Sequence, residues 1–168
     1  FIISSVFIES LGLDKYQRTL ARAYDPEYLN LLLVQQGFAS KYLVRDIEKK
    51  TFASAEKEAI ENERGMWRKS GYYGCFNTDI NKRLEVVEIV NACAEINMNG
   101  WKLKDESRKL FSFPEVKAGS IKLHTFSGKN NKTELFWNLK ADVWNDDADT
   151  LYLFDKEGKL AHYESYGY

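Results

Sequence analysis

The chain has 168 residues, 44% hydrophobic and 29% charged, so it can build the core of one domain or of two small ones. Its net charge of −1 excludes the global basic field that drives non-specific nucleic-acid binding, and any such contact must be a local site. The longest apolar run, residues 1–8, is strand-sized, so no segment is predicted to span a membrane.

A charged turn separates two predicted strands at the start of the chain. Residues 1–8 form a β-prone run, and residues 19–24 alternate in hydrophobicity as a returning strand. The turn between them carries Lys15, Tyr16 and Arg18, the residue types that a phosphate-binding rim needs. The alternative interpretation is an ordinary solvated hairpin turn.

Two helices are predicted after these strands. Asp25 is placed as an N-cap with Pro26 at the first helical position, and Gly37 supplies the stop. A second helix is predicted over residues 51–64, with apolar residues on one face and a glycine directly after its last residue.

The second half of the chain reads differently. Two glycines and a serine break the helical period after residue 69, and we interpret residues 70–83 as a linker. From residue 84 onward the apolar residues alternate with period two, and turn signals divide them into short strands. This pattern is typical of an all-β sandwich.

The cysteines and histidines give little sign of metal or nucleophile chemistry. Cys75 and Cys93 are too few for a disulfide framework and lack metal-site spacing. We predict that they form one bridge, with two buried thiols as the alternative. His124 and His162 lie far apart in the sequence and near no cysteine motif.

Three stretches of the first part of the chain match the motifs of one known family in order and spacing. They are residues 14–21 (DKYQRTLA), residues 31–39 (LLLVQQGFA) and residues 55–67. They match, in turn, the family's turn Asp-x-Tyr-Gly-Arg-x-Leu-Ala, its helix ending in Val-x-x-Gly-x-Ala, and its last helix with the closing Gly-x-Trp. Residues 1–69 therefore resemble the C-terminal half of the staphylococcal-nuclease-like (thermonuclease) family.

The resemblance implies a five-stranded OB barrel with three helices that cleaves phosphodiester bonds in single-stranded DNA or RNA with calcium. By the same resemblance, Arg18 is similar to the catalytic arginine, and Lys15 and Tyr16 to its phosphate-contacting neighbours. Tyr42 lies one residue out of register with a base-stacking tyrosine of the family.

The chain departs from the family in two ways. Gln17 replaces the turn glycine, which indicates either a turn that needs no positive φ or a strained one. The first three barrel strands, which in the family carry the calcium carboxylates, a glutamate base and a second arginine, are absent. We therefore expect an α+β partial OB-fold of two strands plus two helices, with the barrel incomplete. We also expect that this chain has no calcium ligands and that it has no nuclease activity by itself. We expect an N-terminal segment before Phe1, or a second chain, to complete the barrel.

Five stretches of the second part of the chain match another known family in order and spacing: residues 86–91, 99–103, 111–114, 144–151 and 153–158. Residues 84–168 therefore resemble a lamin-tail domain, an Ig-like module. The expected fold is the partial OB-fold followed by an all-β Ig-like sandwich. The module implies attachment or binding, and the resemblance favours a secreted or cell-surface location. Nothing in these residues indicates which protein or surface it binds. Asp146, Asp147 and Asp149 are interpreted as a structural turn, with a calcium loop as the alternative.

Two functions follow from these observations. The first is part of a calcium-dependent nuclease with a lamin-tail module for attachment. The alternative is a non-catalytic binding or scaffolding protein with a relic nuclease fold.

Overall fold

The structure, a computed structural model, describes residues 5–14, 17–42, 44–107 and 109–168. The chain divides into two compact units, Phe1–Arg68 and Lys69–Tyr168, called here the first and second units. Among the described residues, no helix has the length and apolar character needed to cross a membrane.

The first unit contains a small antiparallel sheet and two helices. Strands β1 and β2 pair along their length with a bulge between Ser10 and Gly12, and β3 pairs with the end of β2. Within the described residues the sheet does not close into a barrel, and β1 is its edge. The elements are β1 (Phe7–Leu13), β2 (Thr19–Asp25), β3 (Glu27–Tyr28), α1 (Leu29–Gln35) and α2 (Lys49–Glu61), followed by a 3₁₀ turn (Gly65–Trp67).

Helix α1 begins later than the sequence predicts. Asp25 is the last residue of β2 and pairs with Glu27, so the segment around Pro26 reverses the chain instead of capping a helix. A proline suits a tight turn as well as a first helical turn, which is why the local signal was misleading. Asn30 then ties α1 to β2, since its Oδ1 accepts the backbone N–H of Ala23 at 2.9 Å.

The first unit has a small core and much exposed apolar surface. Val34, Phe52 and Ala55 form the buried cluster, against which Tyr28 packs edge-on at 5.8 Å from the Phe52 ring. In contrast, the side chain of Phe7 in β1 is 67% exposed. An apolar edge strand of this kind is a site for pairing with a further strand.

The second unit is an all-β sandwich of two four-stranded sheets. The sheet orders are β11-β10-β5-β4 and β13-β12-β7-β8, with β6 and β9 as a separate pair, and β10 and β11 are parallel. The strands are β4 (Phe76–Asn81), β5 (Val86–Asn91), β6 (Ile96–Asn97), β7 (Lys102–Lys104), β8 (Leu110–Ser112), β9 (Lys117–Ala118), β10 (Ser120–His124), β11 (Glu134–Phe136), β12 (Asp149–Phe154) and β13 (Leu160–Tyr166).

Strand β4 corrects the interpretation of residues 70–83 as a linker. Phe76 is buried, and Thr78 and Ile80 follow it on the same side with partial burial, which is the period-two pattern of a half-buried strand. Pairing with β5 along all six residues holds this segment in the sandwich. The glycines and serine before it mark only the approach to the strand.

The core of the second unit lies between the two sheets. Trp101 is 2% exposed and contacts the ring of Phe76 at 5.4 Å, while Leu103, Leu123 and Leu153 are fully buried beside it. Side chains alternate between this core and the outer face along strands such as β10, whereas the first five residues of β12 are all buried. Burial of such large apolar groups is the main source of the unit's stability.

Buried carboxylates hold the loops of the sandwich. Glu85 accepts the backbone N–H groups of Val143 and Trp144 at 2.8 and 3.2 Å. Asp149 accepts those of Asn145 and Thr150 at 3.1 and 2.8 Å, and burial raises the pKa of its carboxyl group. The aspartate-rich segment is therefore a structural turn, and no group of metal-ligating side chains occurs in the described part of the chain.

The predicted bridge between Cys75 and Cys93 is confirmed. The disulfide joins the residue before β4 to the loop that follows β5. It therefore ties the start of an edge strand to its neighbour in the same sheet.

The buried position of His162 leads to a prediction about how the stability of the second unit depends on pH. Its Nε2 lies 3.0 Å from Thr78 Oγ1, and burial lowers its pKa against the opposing effect of Glu164. The unfolded chain therefore binds this proton at a higher pH than the folded chain does. We expect the free energy of unfolding to fall as the pH drops from about 7 to about 5, by at most about 1.4 kcal/mol per pH unit from this group.

Urea titrations at several pH values, followed by tryptophan fluorescence, measure this dependence. His162→Gln should reduce the slope, whereas His124→Gln, which leaves His162 in place, should retain it. An unchanged slope in His162→Gln would assign the pH dependence to other groups.

Candidate nucleic-acid interface

The turn between β1 and β2 is closed by its own backbone. The N–H of Asp14 donates to the carbonyl of Arg18 at 2.9 Å, and the N–H of Gln17 donates to the carbonyl of Asp14 at 3.0 Å. Gln17 has φ +64, the left-handed conformation that glycine adopts without steric cost. Of the two interpretations of Gln17, the strained turn is therefore the one found.

Asp14 orients the guanidinium of Arg18. The Asp14 carboxylate accepts the backbone N–H of Arg18 at 2.9 Å and its Nε at 2.6 Å. The Arg18 side chain is 70% exposed, whereas that of Asp14 is 16% exposed. Such an exposed pair adds little to stability, but it restricts the directions in which the guanidinium can point.

The other candidate residues are not gathered around Arg18. Lys15 and Tyr16 lie outside the described residues. Tyr42 is 54% exposed and lines a cleft of about 390 Å³ in the first unit, whose lining does not include Arg18. Lys41, next to it, is anchored because its Nζ lies 2.5 Å from the buried carboxylate of Glu56.

An ionic cluster that sequence reasoning missed includes Arg22 and Glu48, which line the same cleft, and Glu9 beside it. Arg22 on β2 binds Glu9 on β1 at 3.1 Å and Glu48 at 2.9 Å. Hydrogen bonding to Arg22 lowers the pKa of Glu48 and raises that of the guanidinium, while burial raises the pKa of Tyr28 beside them. The sequence did show that Arg22 is a charged residue within a predicted strand. It could not show the partners of Arg22, because Glu9 and Glu48 are 13 and 26 residues away along the chain.

The residues present do not fit a calcium site. Calcium takes six to eight oxygen ligands, usually with several carboxylates. Glu9 and Glu48 are both held by Arg22, and Asp14 is held by Arg18. No group of three or more potential metal ligands occurs in the part of the chain that the structure describes.

The strain at Gln17 leads to a stability prediction. Gln17→Gly should raise the free energy of unfolding of the first unit by about 0.5–1 kcal/mol, because glycine relieves the left-handed conformation. Thermal unfolding followed by circular dichroism measures the change. Gln36→Gly is the matched control, because Gln36 has φ −87 and is not in the left-handed conformation. This substitution should lower the free energy of unfolding, because glycine adds conformational entropy to the unfolded chain. Equal effects of the two substitutions would contradict strain at the turn.

Comparison with protein families identifies both units. The model described as Staphylococcal nuclease homologue matches residues 2–69, and the model described as Lamin Tail Domain matches residues 72–168, more than half of the chain. The chain therefore belongs to the lamin tail domain family and carries a staphylococcal nuclease homologue domain ahead of that module. No curated protein matches the chain.

Both resemblances seen in the sequence, and the fold class they imply, are thereby confirmed. The first unit is a partial nuclease-like α+β fold and the second is an all-β Ig-like sandwich. The lamin-tail match begins at residue 72, earlier than the expected residue 84, and so includes β4.

Proposed function

We propose that the first unit is the phosphate-contacting half of a calcium-dependent nuclease acting on single-stranded DNA or RNA, with the lamin-tail unit as its attachment module. The observation that carries this proposal is the exposed guanidinium of Arg18, oriented by Asp14 where the turn ends and β2 begins. A guanidinium in this position can bind phosphate oxygens in bidentate fashion and stabilise charge that develops on the phosphoryl group. Lys15, Tyr16 and Tyr42 are proposed as further contacts to the phosphates and bases.

This chain alone is proposed to be inactive. Hydrolysis also needs a group that activates the attacking water, and by the family resemblance a metal ion polarises the phosphoryl group. The carboxylates of the first unit that lie near Arg18 and in the cleft are engaged by arginines. The missing carboxylates are proposed to come from an N-terminal segment or a second chain that adds strands to the exposed edge of β1.

A complementation assay tests the proposal. The 168-residue chain is incubated with fluorescent single-stranded DNA and calcium, with and without a polypeptide that supplies the first three strands of a nuclease homologue. We expect cleavage only when both are present, and its loss on addition of EDTA. Cleavage by the 168-residue chain alone would contradict the proposal that this chain is inactive. Absence of cleavage by the folded complex would contradict the proposed nuclease function.

The second candidate is a non-catalytic binding or scaffolding protein. The occupied carboxylates and the strained Gln17 turn favour it. In that case the completed protein would bind single-stranded DNA and leave it intact. The Cys75–Cys93 disulfide supports the proposal of a secreted or cell-surface location under either function, because such bonds persist in oxidising compartments.

A further inference from the structure

A cavity of about 730 Å³ opens in the second unit beside β9 and the loop that joins β10 to β11. Val116 and Leu135, both buried, contribute its apolar floor. Its volume is within the range of sites that hold small ligands or single groups of a polymer. No aromatic ring belongs to the described residues that line it, so base stacking is not the interaction it offers.

Three asparagines in the lining have fixed amide orientations. The Oδ1 of Asn97 accepts a backbone N–H at 2.9 Å, and that of Asn130 accepts one at 2.8 Å. The Oδ1 of Asn131 accepts two, at 2.9 and 2.8 Å. The backbone thus occupies the amide oxygen of Asn131 and one of the two lone pairs on the oxygens of Asn97 and Asn130, so the NH₂ donor is the main group left for a ligand.

The charged groups of the lining are two lysines and one glutamate. Lys117 and Lys132 contribute ammonium donors, and Glu115 contributes the opposing carboxylate. Lys117 Nζ is also 2.8 Å from Glu95 at the exposed rim. With Glu95 counted, the two ammonium groups face two carboxylates, so the excess of donors over acceptors comes from the three amide NH₂ groups. Such an excess of donors suits a ligand with several acceptor oxygens, such as a phosphate.

We propose that this donor-lined pocket binds a backbone phosphate of single-stranded nucleic acid and holds the polymer on the lamin-tail unit. Only the choice of nucleic acid as the polymer rests on the proposed nuclease function. Because the pocket offers hydrogen-bond donors and no aromatic rings, it would contact the phosphate and not the base. Binding would therefore not depend on the nucleotide sequence. A second cavity of about 260 Å³ is lined by Asp79, Glu88 and Glu134 against Lys122 and His124, and this excess of carboxylates disfavours the same polymer.

The first test removes one positive charge and, in a separate variant, one negative charge from the pocket. Binding of fluorescein-labelled dT20 is measured by anisotropy in EDTA, in an Arg18→Ala background that removes the phosphate contact of the first unit. Lys132→Gln should weaken binding about threefold to tenfold and lower the salt slope by about one. Glu115→Gln should strengthen binding, because it removes the carboxylate that repels phosphate.

Matched controls are the exposed residues Lys140 and Asp142 outside the pocket. Lys140→Gln and Asp142→Asn make the same charge changes and should alter affinity by less than about twofold, since screened charges at a distance contribute little. Equal effects of pocket and control substitutions, or no binding of dT20, would overturn the proposal. Tighter binding of heparin than of dT20 at equal charge would overturn the choice of nucleic acid.

Side-chain NMR provides the second test, with inorganic phosphate as the probe. Titration into the ¹⁵N-labelled chain should shift the amide NH₂ signals of Asn97, Asn130 and Asn131 in a saturable manner, and Lys132→Gln should weaken that response. Unshifted signals would overturn the site. Neither test involves hydrolysis, so failure here is distinguishable from failure of the proposed nuclease.

Discussion

Replacing Arg18 by alanine in the completed nuclease is expected to lower the cleavage rate of single-stranded DNA by about 10²–10³-fold. The exposed guanidinium, held at Nε by Asp14, would stabilise charge that is larger in the transition state than in the bound substrate. The loss should therefore fall mainly on kcat. Single-turnover cleavage with calcium measures it.

Two further variants show whether the effect belongs to this turn. Arg83→Ala removes an exposed arginine of the second unit and should leave the rate unchanged. Asp14→Asn should give a smaller loss than Arg18→Ala, because the guanidinium remains while its charged partner is removed. A full rate in folded Arg18→Ala would exclude the catalytic role that we propose for Arg18.

Removing the Cys75–Cys93 disulfide is expected to destabilise the second unit by about 3 kcal/mol, the value for a loop closed over a separation of 18 residues. The bond restricts the unfolded chain and ties the start of β4 to the loop after β5. The measurement is urea unfolding of Cys75→Ser/Cys93→Ser followed by tryptophan fluorescence.

Reduction supplies the control for this variant. Wild-type protein in dithiothreitol should unfold at the urea midpoint of the double variant, and the double variant should not respond to dithiothreitol. Coinciding midpoints for oxidised wild type and double variant would contradict a stabilising bridge. Two titratable thiols in denatured, unreduced wild type would contradict the bridge itself.

Local signals in the sequence were reliable where the physical cause is local. Gly37 ends the segment of α1 with φ +70, a conformation that favours glycine. The glycine signal at Gly65 was less accurate, because α2 ends at Glu61 and the left-handed residue that follows it is Glu63, with φ +52. A Cβ at Gly37 would also lie 2.1 Å from the carbonyl oxygen of Arg64. Both the backbone conformation and the lack of space for a side chain therefore require glycine at this position. The start of α1 was mispredicted because Asp25 and Glu27 pair across strands.

In the candidate site, too, the residues with nearby partners could be predicted from the sequence and those with distant partners could not. Arg18 could be identified from its turn, since the residue that orients it, Asp14, is only four positions away. The cluster around Arg22 could not be identified, because Glu9 and Glu48 reach it only after β1 and β2 pair and the segment before α2 folds against them. Strand β4 was interpreted as part of a linker because the glycines and serine before it were given more weight than the alternation of Phe76, Thr78 and Ile80. Pairing with β5 shows that the alternation was the better signal.

The sequence by itself determined the two domain families and the period-two pattern of the sandwich, and it singled out Arg18 as the phosphate contact that we propose. These depend on residue order, short-range turns and alternation, which act within a few residues. Only the tertiary structure decided which carboxylates are occupied by arginines and how the amides of Asn97, Asn130 and Asn131 are oriented. The ion pairs join residues distant in the chain, and the three amides line one cavity only because folding brings separate segments together.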